Sequence, residues 1–582
     1  RRSLMKPSPL IQRLIPILYE DEQLLAIGKP VGIDVGGLPN EQATGLVELV
    51  KTLRGRNETL HPANRLSRFE SGVLLLGKNP GAAARIRTML KSFRLDQEYV
   101  AVVNGRMNKA MLFLDSRRDP AEKKVAKGKR LTRNPRIAKR TAPSAAPAIR
   151  TVLRRIEQGE HRTLIRCETT APTTHALRAQ LRSVGLRLVG DRVHDRAPRL
   201  MAHEDTCLHL ARVRLSIAGQ KDSMTIRSPA SAGFAVALRG ERDVQRLLHA
   251  ALTRRLPCLL EPKTDSCRLL TGPAEGLSGL IAEKYGPVVV LQVLEASPRW
   301  LGALPDIARW YRDLLRVRAV YVKRFVRDRT QLNDDLQEAL RSPKPLLGEP
   351  APSQVEILER GLRFAIRPYD GFSVGLFLDQ RDNRGRIREM SQGKDVLNLF
   401  AYTCGFSVAA AVGGAKSTIS VDVSPKHLEW GRTNFTLNGI ELAVDIADHQ
   451  FIRSDAMEYL KRAKRQAKQF DIIILDPPSF AHGRKSKDDF SILEDLAGLV
   501  SSAGEVLRSG GVMMVSTNHR KLSRRGLLDR IRQGSGTRRC EVLVTPPLPP
   551  DFAVDHDHAK TLFVRLGGAP APRRSDAVNL HL

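Results

Sequence analysis

The chain has few cysteines, and their spacing indicates neither a metal site nor a disulfide framework. Its 582 residues contain six, at positions 167, 207, 258, 267, 404 and 540, and no two form a Cys-x-x-Cys pair. We therefore expect neither a zinc site nor a disulfide framework, and a reducing compartment fits this usage. The sequence also lacks an apolar run of about eighteen residues, so no membrane-spanning helix is predicted.

Acidic residues are scarce relative to basic ones. The sequence has 95 Lys and Arg against 62 Asp and Glu, a formal charge of +33. This excess goes beyond what solubility requires and favours a polyanionic partner, with nucleic acid as the first candidate. The length suggests about three or four domains.

The sequence opens on Arg1-Arg2-Ser3 without methionine. We expect a protein of the bacterial cytoplasm. A mitochondrion or another organelle is the alternative, because an arginine-rich start can be the edge of a removed transit peptide.

The order of elements predicted for residues 395–422 is typical of a nucleotide-binding site. An apolar run ends at a turn containing Gly405, a helix of small residues follows, and a second apolar run ends at Asp422. In parallel α/β sheets, ligands bind at the carboxyl ends of the strands, where such an acid can meet a ribose diol. The glycines do not form the G-x-G-x-x-G pattern, so NAD is not the first candidate. A tight strand-to-helix turn without a ligand is the alternative.

Several short motifs of the first half occur in a fixed order. They are residues 15–34, 64–78 (NRLSRFESGVLLLGK), 98–105 (EYVAVVNG), 174–178 (THALR), 189–191 (VGD) and 208–211 (LHLA). Together they resemble the RluA-type pseudouridine synthases over roughly residues 15–230. The resemblance implies a mixed β domain that binds RNA, which we assign to residues 1–235.

The match fails at the catalytic position. The family reads H-R-L-D-x-x-T-S-G here, and its catalytic aspartate falls on Ser67, whose hydroxyl is not ionised at neutral pH. Arg65 and Arg178 match the family and imply retained contacts with RNA phosphate or base. We therefore expect an RNA-binding domain without isomerase activity. The alternative is that another carboxylate, Glu70, has taken over.

A strongly basic stretch interrupts this half. Residues 117–140 contain eleven Lys and Arg against two acids. Low apolar content and high charge predict a mobile insertion, at 117–150, that neutralises RNA phosphates. A solvated insertion without a partner is the alternative. The cations assigned to RNA are Lys123, Lys124, Lys127, Lys129 and Arg130.

The second half carries five further motifs in order. They are residues 268–280 (RLLTGPAEGLSGL), 368–371 (PYDG), 375–381 (GLFLDQR), the stretch 395–422, and 476–480 (DPPSF). They resemble the RlmI- and RlmK-type methyltransferases of large-subunit ribosomal RNA over about residues 262–566. The fold expected is α/β and α+β multidomain. It comprises a linker helix and small α+β domain (236–350) with an amphipathic helix at 301–316, a class I methyltransferase domain with a Rossmann-like sheet (351–566), and a disordered tail (567–582).

The resemblance implies S-adenosylmethionine as the cofactor, and no metal. Asp422 can accept hydrogen bonds from the ribose diol, and Asp455 can accept one from the adenine amino group. Each acid could instead cap a helix. Gly405 would let the backbone turn close to the donor. The cofactor-binding residues assigned are Asp379, Arg381, Asn398, Phe400, Tyr402, Gly405, Asp422, Asp455 and Asp476.

Asp476 follows an apolar run typical of a buried parallel strand. Pro477 and Pro478 stiffen the turn after it, so we expect the turn to position the base to be methylated. Phe480 can stack on that base, although a place in the core is the alternative.

The residues after the next strand bear on the target atom. Methylation of cytosine C5 needs a cysteine nucleophile, and residues 512–520 contain none, while Cys404 would face the donor. Residues 516–520 (STNHR) are similar to the FSNNKR segment of the RlmK type, which methylates guanine N7. N7 needs alignment with the methyl group rather than covalent activation. We therefore predict a base nitrogen, guanine N7 first, with Asn518 on the base edge and Arg520 on phosphate.

The predicted function is methyl transfer to ribosomal RNA of a large-subunit precursor, with no membrane partner. Two alternatives stay open. One is a non-catalytic ribosome-assembly factor that binds ribosomal RNA, and the other is a bifunctional pseudouridine synthase and methyltransferase. The sequence sets no oligomeric state.

Overall fold

A computed structural model gives the fold of the chain. It describes residues 9–36, 45–54, 59–92, 95–117, 148–191, 206–216, 223–230, 233–239, 244–294, 300–325, 338, 341–371, 373–442, 448–478, 480–481, 490–555 and 558–567. The five cations of the basic stretch lie outside the described residues, as do residues 568–582 of the predicted tail. For Phe480 the backbone is described and the side chain is not.

The chain divides into two compact units, residues 1–257 and residues 258–582. The boundary predicted at 235/236 differs from this division by about twenty residues. The reason is that Phe234 and Leu238, on a helix after the sheet, pack against Val102 and Leu164 of its strands. The predicted central domain is not a separate unit either, because Val290 shares a core with Phe364 and other residues of the methyltransferase region.

The first unit is built on one mixed sheet of eleven strands. Its strands are β1 (Ile17–Glu20), β2 (Leu24–Lys29), β3 (His61–Pro62), β4 (Ser71–Gly77), β5 (Asp96–Asn104), β6 (Met111–Arg117), β7 (Ala148–Gln158), β8 (Arg162–Thr169), β9 (Arg187–Leu188), β10 (Leu208–Ser216) and β11 (Ser223–Arg227). The main order is β1-β2-β4-β10-β5-β8-β7-β6, with β3, β9 and β11 paired at the sides. β10 runs parallel to β4 and antiparallel to β5.

Helices precede, connect and follow these strands. They are α1 (Pro9–Leu14), α2 (Leu46–Arg54), α3 (Pro80–Lys91), α4 (Thr174–Ser183), α5 (Gly233–Leu238) and α6 (Val244–Arg254), followed by α7 (Leu256–Leu259). The apolar strand β4 is buried along nearly its whole length, as its composition predicts. Ile86 of α3 and Leu177 of α4 pack on one face of the sheet with Leu75, which forms the main core of this unit.

The second unit begins with a small α+β layer. A five-stranded sheet contains β12 (Ser266–Leu270), β13 (Leu280–Tyr285), β14 (Val288–Leu294), β15 (Ala319–Phe325) and β16 (Leu347–Gly348) in chain order. The amphipathic helix predicted at 301–316 is confirmed as α8 (Leu304–Leu315), and a hairpin of β17 (Val355–Glu359) and β18 (Leu362–Ile366) follows.

A seven-stranded sheet forms the rest of this unit. Its strands are β19 (Asp395–Leu399), β20 (Ser417–Asp422), β21 (His449–Arg453), β22 (Phe470–Leu475), β25 (Leu507–Thr517), β26 (Cys540–Val544) and β27 (Lys560–Leu566); β23 (Phe480–Ala481) and β24 (Phe490–Ser491) form a separate hairpin. Its helices are α9 (Arg381–Met390), α10 (Gly405–Val412), α11 (Pro425–Leu437), α12 (Ala456–Arg465), α13 (Ile492–Glu505) and α14 (Arg524–Ser535).

The strand order β21-β20-β19-β22-β25-β27-β26 confirms the predicted Rossmann-like sheet. The first five strands are parallel, and β27 runs antiparallel to β25 and β26. Because β19 lies between β20 and β22, the order reverses there, and ligands bind outside the carboxyl ends of strands at such a point. Across the described ranges, no helix is both long and apolar enough to cross a membrane.

Candidate functional site

The predicted site residues meet at one edge of the seven-stranded sheet. Leu399 is in register with Val421 on one side and with Leu475 on the other, and Leu475 is in register with Val515. The residues that follow these strands therefore lie side by side at the switch point of the sheet. This edge brings together the turn after β19, Asp422, Asp476 and the end of β25.

The turn after β19 is held in an unusual conformation. Phe400, Tyr402 and Cys404 have φ values of 58°, 49° and 60°, a left-handed region that costs about 1 kcal/mol or more for a residue with a side chain. Gly405 is not among the positive-φ glycines. The expectation that Gly405 supplies the turn is therefore wrong, since three alternate non-glycine residues bend the chain.

Hydrogen bonds from distant residues hold this turn. The Tyr402 N–H donates to Asp422 Oδ2 at 2.8 Å, and the Thr403 hydroxyl donates to the Gly375 carbonyl at 2.6 Å. The Asn434 amide donates to the Thr403 carbonyl at 2.9 Å. Strained backbone that is fixed in this way is typical of ligand sites.

Asp422 lies at the end of β20, as predicted. Besides Tyr402 it accepts the Ser424 N–H at 2.9 Å, and His427 lies 3.5 Å away. The Asp422 side chain remains 12% exposed, and a carboxylate has about four acceptor sites. It can therefore hold the turn and still accept from a diol.

Asp455 caps helix α12. Its Oδ1 accepts the Met457 N–H at 2.8 Å and the Glu458 N–H at 3.2 Å. The helix-cap alternative is thus confirmed for this acid. The side chain is exposed, so an adenine contact through Oδ2 stays a prediction.

Two residues assigned to the cofactor are buried in the protein instead. Asn398 is 1% exposed, and its amide donates to Ser407 at 2.9 Å within the sheet-helix packing. Arg381 is also buried and forms two hydrogen bonds with Asp551, at 3.0 and 2.9 Å. Both side chains are occupied by internal partners, so the assignment of Asn398 and Arg381 to the cofactor stays a prediction that their side chains do not support.

Aromatic rings line the same edge. The Phe377 side chain is 51% exposed, and its ring centroid lies 5.3 Å from that of Tyr402, which lies 4.6 Å from His427. Phe400 is partly buried and packs against the core of the sheet. The edge thus combines an aromatic surface with the carboxylate of Asp422.

Asp476 directly follows β22 and is partly exposed, as the sequence predicts. Burial and the charge of Asp379 raise the pKa of Asp476 to about 7, although a hydrogen bond with Ser516 and the charge of Arg384 oppose the shift. Pro477 is buried and Pro478 is exposed, which fits a stiff turn at the surface.

The pKa of Asp379 is shifted in the opposite direction to that of Asp476. Its Oδ2 lies 3.4 Å from His558 Nε2. Burial opposes its ionisation, but His558, Arg268 and Arg384 outweigh burial and lower the pKa of Asp379. Sequence reasoning missed His558 and Arg268 because their separation from Asp379 along the chain gives no local signal.

Asn518 and Arg520 follow β25 and are exposed. One Arg520 guanidinium nitrogen lies 2.7 Å from Asp555, although the arginine side chain keeps 65% of its surface exposed. Contacts of Asn518 with a base and of Arg520 with phosphate stay predictions.

In the synthase-like half, the carboxylate next to position 67 is Glu70, and it is buried and ion-paired. Ser67 and Arg65 are exposed, whereas Glu70 is fully buried. Glu70 is ion-paired with Arg178, which also lies 3.3 Å from Asp191. Arg178 is only 7% exposed and is engaged by these two acids, so its contact with RNA stays a prediction, and Glu70 is already committed to an internal ion pair.

Two family models match the chain. That of the S-adenosylmethionine-dependent methyltransferases matches residues 336–565, and that of the RNA pseudouridylate synthases matches residues 23–183. The two resemblances noted in the sequence are therefore confirmed, and the S-adenosylmethionine-dependent domain is assigned to the second unit.

Relatives and a solved structure extend this match. Ribosomal RNA large subunit methyltransferase K of Neisseria meningitidis is 34% identical over 239 residues, which cover 41% of this chain and 65% of the relative. The chain thus spans less than two thirds of that relative. The structure of SMU.776 in complex with SAH has a TM-score of 0.50 and 28% identity, covering 61% of this chain and 87% of that chain.

A ribosomal RNA large subunit methyltransferase of Deinococcus radiodurans is 31% identical over 332 residues, 55% of this chain and 78% of the relative. This match includes more than three quarters of the relative's length. The chain belongs to the family of ribosomal RNA large subunit methyltransferases.

Proposed function

We propose that this chain transfers the methyl group of S-adenosylmethionine to a base nitrogen of ribosomal RNA in a large-subunit precursor, with guanine N7 as the first candidate. The synthase-like half contributes RNA recognition and does not isomerise uridine. Family membership supports the ribosomal RNA substrate class, and the residues at the sheet edge support the choice of atom.

The residues present fit S-adenosylmethionine. Asp422 keeps acceptor sites for a ribose diol, the strained turn at 400–404 presents backbone to the ligand, and Phe377 with Tyr402 offers an aromatic surface. When bound, the cofactor supplies a sulfonium methyl group. The chain's own residues bind and orient it, and they hold the acceptor base in line.

The choice of a nitrogen as the methylated atom rests on the burial of the cysteines. Carbon-5 of a pyrimidine needs attack by a thiolate. Cys404, the cysteine of the turn at this edge, is fully buried, and burial raises the pKa of its thiol to about 12. Four of the other five are also buried, and Cys540 lies on the outermost strand β26. A ring nitrogen with its own lone pair requires no such nucleophile.

Inactivity of the first half is supported by the residues around Ser67. No carboxylate occupies that position, and the buried Glu70 is held by Arg178, the Ser67 N–H at 2.8 Å and the Thr174 hydroxyl at 3.2 Å. A carboxylate that is fully buried and held by three donors is a poor nucleophile, because a substrate cannot reach it and most of its acceptor sites are used.

The test uses the full chain, protein-free large-subunit ribosomal RNA and radiolabelled S-adenosylmethionine, followed by mass spectrometry of nucleosides. We expect label in 7-methylguanosine and no new pseudouridine. Asp422→Ala serves as the matched variant, and it should lose both cofactor binding and label. Label in 5-methylcytidine would overturn the assignment of the atom. Cofactor binding without label, on naked RNA and on pre-ribosomal particles alike, would favour the assembly-factor alternative, and new pseudouridine would favour the bifunctional one.

A further inference from the structure

A short basic segment follows strand β25, at the edge of the sheet where the target base is expected. Residues 520–525, the 520–525 segment, read Arg-Lys-Leu-Ser-Arg-Arg, which is four cations among six residues without an acid. Because Val515 is in register with Leu475, the chain after β25 leaves the sheet beside the turn that begins at Asp476. Sequence motifs assign a role only to Arg520 among these cations.

The cations of this segment have few internal partners. Arg520 forms an ion pair with Asp555 at 2.7 Å, yet 65% of its side chain is exposed. Lys521 and Arg525 are exposed, and Arg524 is partly exposed. Among the described residues, no hydrogen bond or ion pair engages the side chain of Lys521, Arg524 or Arg525. Three positive charges are therefore free to meet a partner.

Two of these cations lie where a helix disfavours them. Helix α14 begins with Arg524 and Arg525, and no acid lies in its first turn. The amino end of a helix carries a partial positive charge, so cations there oppose the helix dipole. Lys426 in the first turn of α11 is compensated by Asp370 at 2.6 Å, whereas the two arginines have no such acid in the described ranges. An anion at this place would be stabilised by both arginines and by the helix end.

The backbone of the segment is anchored, so the charges are presented in a defined arrangement. Leu522, between the cations, is 4% exposed and belongs to the same core as Leu527. The Leu522 N–H donates to the His519 carbonyl at 3.1 Å, and the Ser523 hydroxyl accepts the Gly526 N–H at 3.1 Å. An anchored backbone lowers the entropy cost of binding a ligand.

The chemistry of the segment fits phosphate rather than the cofactor. S-adenosylmethionine carries a sulfonium, an ammonium and one carboxylate, so its net charge is positive and these cations do not attract it. Each RNA phosphate is negative, and the guanidinium fork matches phosphate oxygens in a bidentate way. An acidic protein would offer the same sign of charge, but the proposed substrate and the formal charge of +33 favour RNA.

We propose that Lys521, Arg524 and Arg525 bind backbone phosphates of the RNA next to the target nucleotide, so that the second unit has an RNA-binding surface of its own. This inference rests on the proposed function and names the substrate contacts of that same site. Contacts to a nucleic-acid backbone fix register and orientation without reading the sequence. The segment holds the strand in place, and the residues at the sheet edge select the base.

The test is filter binding of the full chain to protein-free large-subunit ribosomal RNA at several salt concentrations. The triple variant Lys521→Gln, Arg524→Gln and Arg525→Gln should reduce the slope of log affinity against log salt by about two, at roughly 0.7 per phosphate neutralised. Methyl transfer should fall more at limiting than at saturating RNA, because weaker RNA binding raises KM more than it lowers kcat. The affinity for S-adenosylmethionine, measured by calorimetry, should not change.

A matched control removes three exposed cations from the same unit. Lys461, Lys464 and Arg465 lie in the second half of helix α12, which ends shortly before β22 begins and so lies toward the opposite edge of the sheet. Their replacement by Gln should leave the salt slope unchanged. Exchanging Lys for Arg and Arg for Lys at positions 521, 524 and 525 preserves the charge and should keep the original slope.

Folding is controlled by thermal unfolding of the triple variant. Its midpoint should stay the same or rise slightly, since the variant removes cations from the first turn of a helix. An unchanged salt slope, or an equal reduction in the α12 variant, would overturn the role of the segment. Binding of poly-glutamate that depends on the three cations, when RNA binding does not, would overturn it in favour of an acidic protein partner.

Filter binding does not require methyl transfer, so this role and the proposed function can fail separately. Label in a nucleoside other than 7-methylguanosine, with the salt slope reduced as expected, would overturn the proposed atom and support the phosphate contacts.

Discussion

At the scale of single residues, three aspartates that all follow strands have different functions. Asp422 fixes a strained turn, Asp455 caps a helix, and the pKa of Asp476 is raised by burial and by the charge of Asp379. The sequence identified each as an acid at the end of a strand, with an apolar run before Asp422 and Asp476 and a shorter, more polar stretch before Asp455. It did not show what each oxygen contacts, since those contacts depend on residues brought in by the fold.

The buried ion pair of the synthase-like half gives a prediction at this scale. Glu70→Gln removes the charge that compensates Arg178, and it should destabilise the first unit by about 3 kcal/mol. Urea denaturation of the full chain measures this loss. The affinity for S-adenosylmethionine should not change, because the cofactor site belongs to the other unit.

The matched control is Glu48→Gln, whose carboxylate forms an exposed ion pair with Lys51 at 2.7 Å. An exposed pair of this kind contributes about 0.5 kcal/mol or less. Equal losses in the two variants would show that Glu70 has no special structural role.

At the scale of elements, a segment after β18 packs over the strained turn. Gly375 has a φ of 119°, and a Cβ placed on it would lie 2.2 Å from the Trp430 ring. The Gly375 carbonyl accepts the Thr403 hydroxyl, and the Trp430 indole N–H donates to the Ala365 carbonyl at 2.9 Å. Helix α11, hairpin β17–β18 and the turn at 400–404 are therefore fixed to one another.

We predict that Gly375→Ala costs about 3 kcal/mol of stability, because it combines a left-handed backbone with a steric clash. It should also weaken S-adenosylmethionine binding at least about tenfold, since the turn loses its support. Thermal unfolding and calorimetry measure the two effects.

Gly498→Ala in helix α13 is the control, because nothing lies within 4 Å of a Cβ there. It should be neutral or stabilise the helix by up to about 1 kcal/mol. Cofactor binding that is unchanged in Gly375→Ala would refute the link between this segment and the turn.

Most elements near the site follow from local sequence. The buried run of β22, the amphipathic pattern of α8 and the strand-turn-helix plan of 395–422 were all visible in the sequence, because they depend on residues adjacent in the chain. The sequence did not predict the left-handed backbone conformation of the turn residues. Glycine was the expected solution there. Instead three other residue types adopt this conformation, and the hydrogen bonds of Tyr402 and Thr403 with Asp422, Gly375 and Asn434 fix the turn.

At the scale of the whole molecule, the charge of +33 predicts RNA binding that weakens strongly with salt. Five cations of the basic stretch concentrate this charge in a short segment. Replacing Lys123, Lys124, Lys127, Lys129 and Arg130 by Ser should reduce the slope of log affinity against log salt by about 3.5, at roughly 0.7 per phosphate neutralised. Filter binding to large-subunit RNA at several salt concentrations measures this slope.

The charge-preserving control exchanges Lys for Arg and Arg for Lys at the same five positions and should keep the original slope. S-adenosylmethionine affinity should be unchanged in both variants. A slope that is the same in the serine variant would mean that these cations do not contact the RNA.

The sequence by itself determined the order of the two halves, the sheet class of each, the lost aspartate at position 67 and the strand-end acids of the second half. These features depend on short stretches: the strand-end acids follow from local patterns, whereas the two halves and the lost aspartate follow from motifs that resemble known families. The tertiary structure decided which charged groups remain accessible. Arg381 lies 170 positions from its partner Asp551, Gln380 lies 136 from Ser516, and Arg178 lies 108 from Glu70. Burial makes an unpaired charge costly, so these distant partners were required, yet nothing adjacent in the chain identifies them.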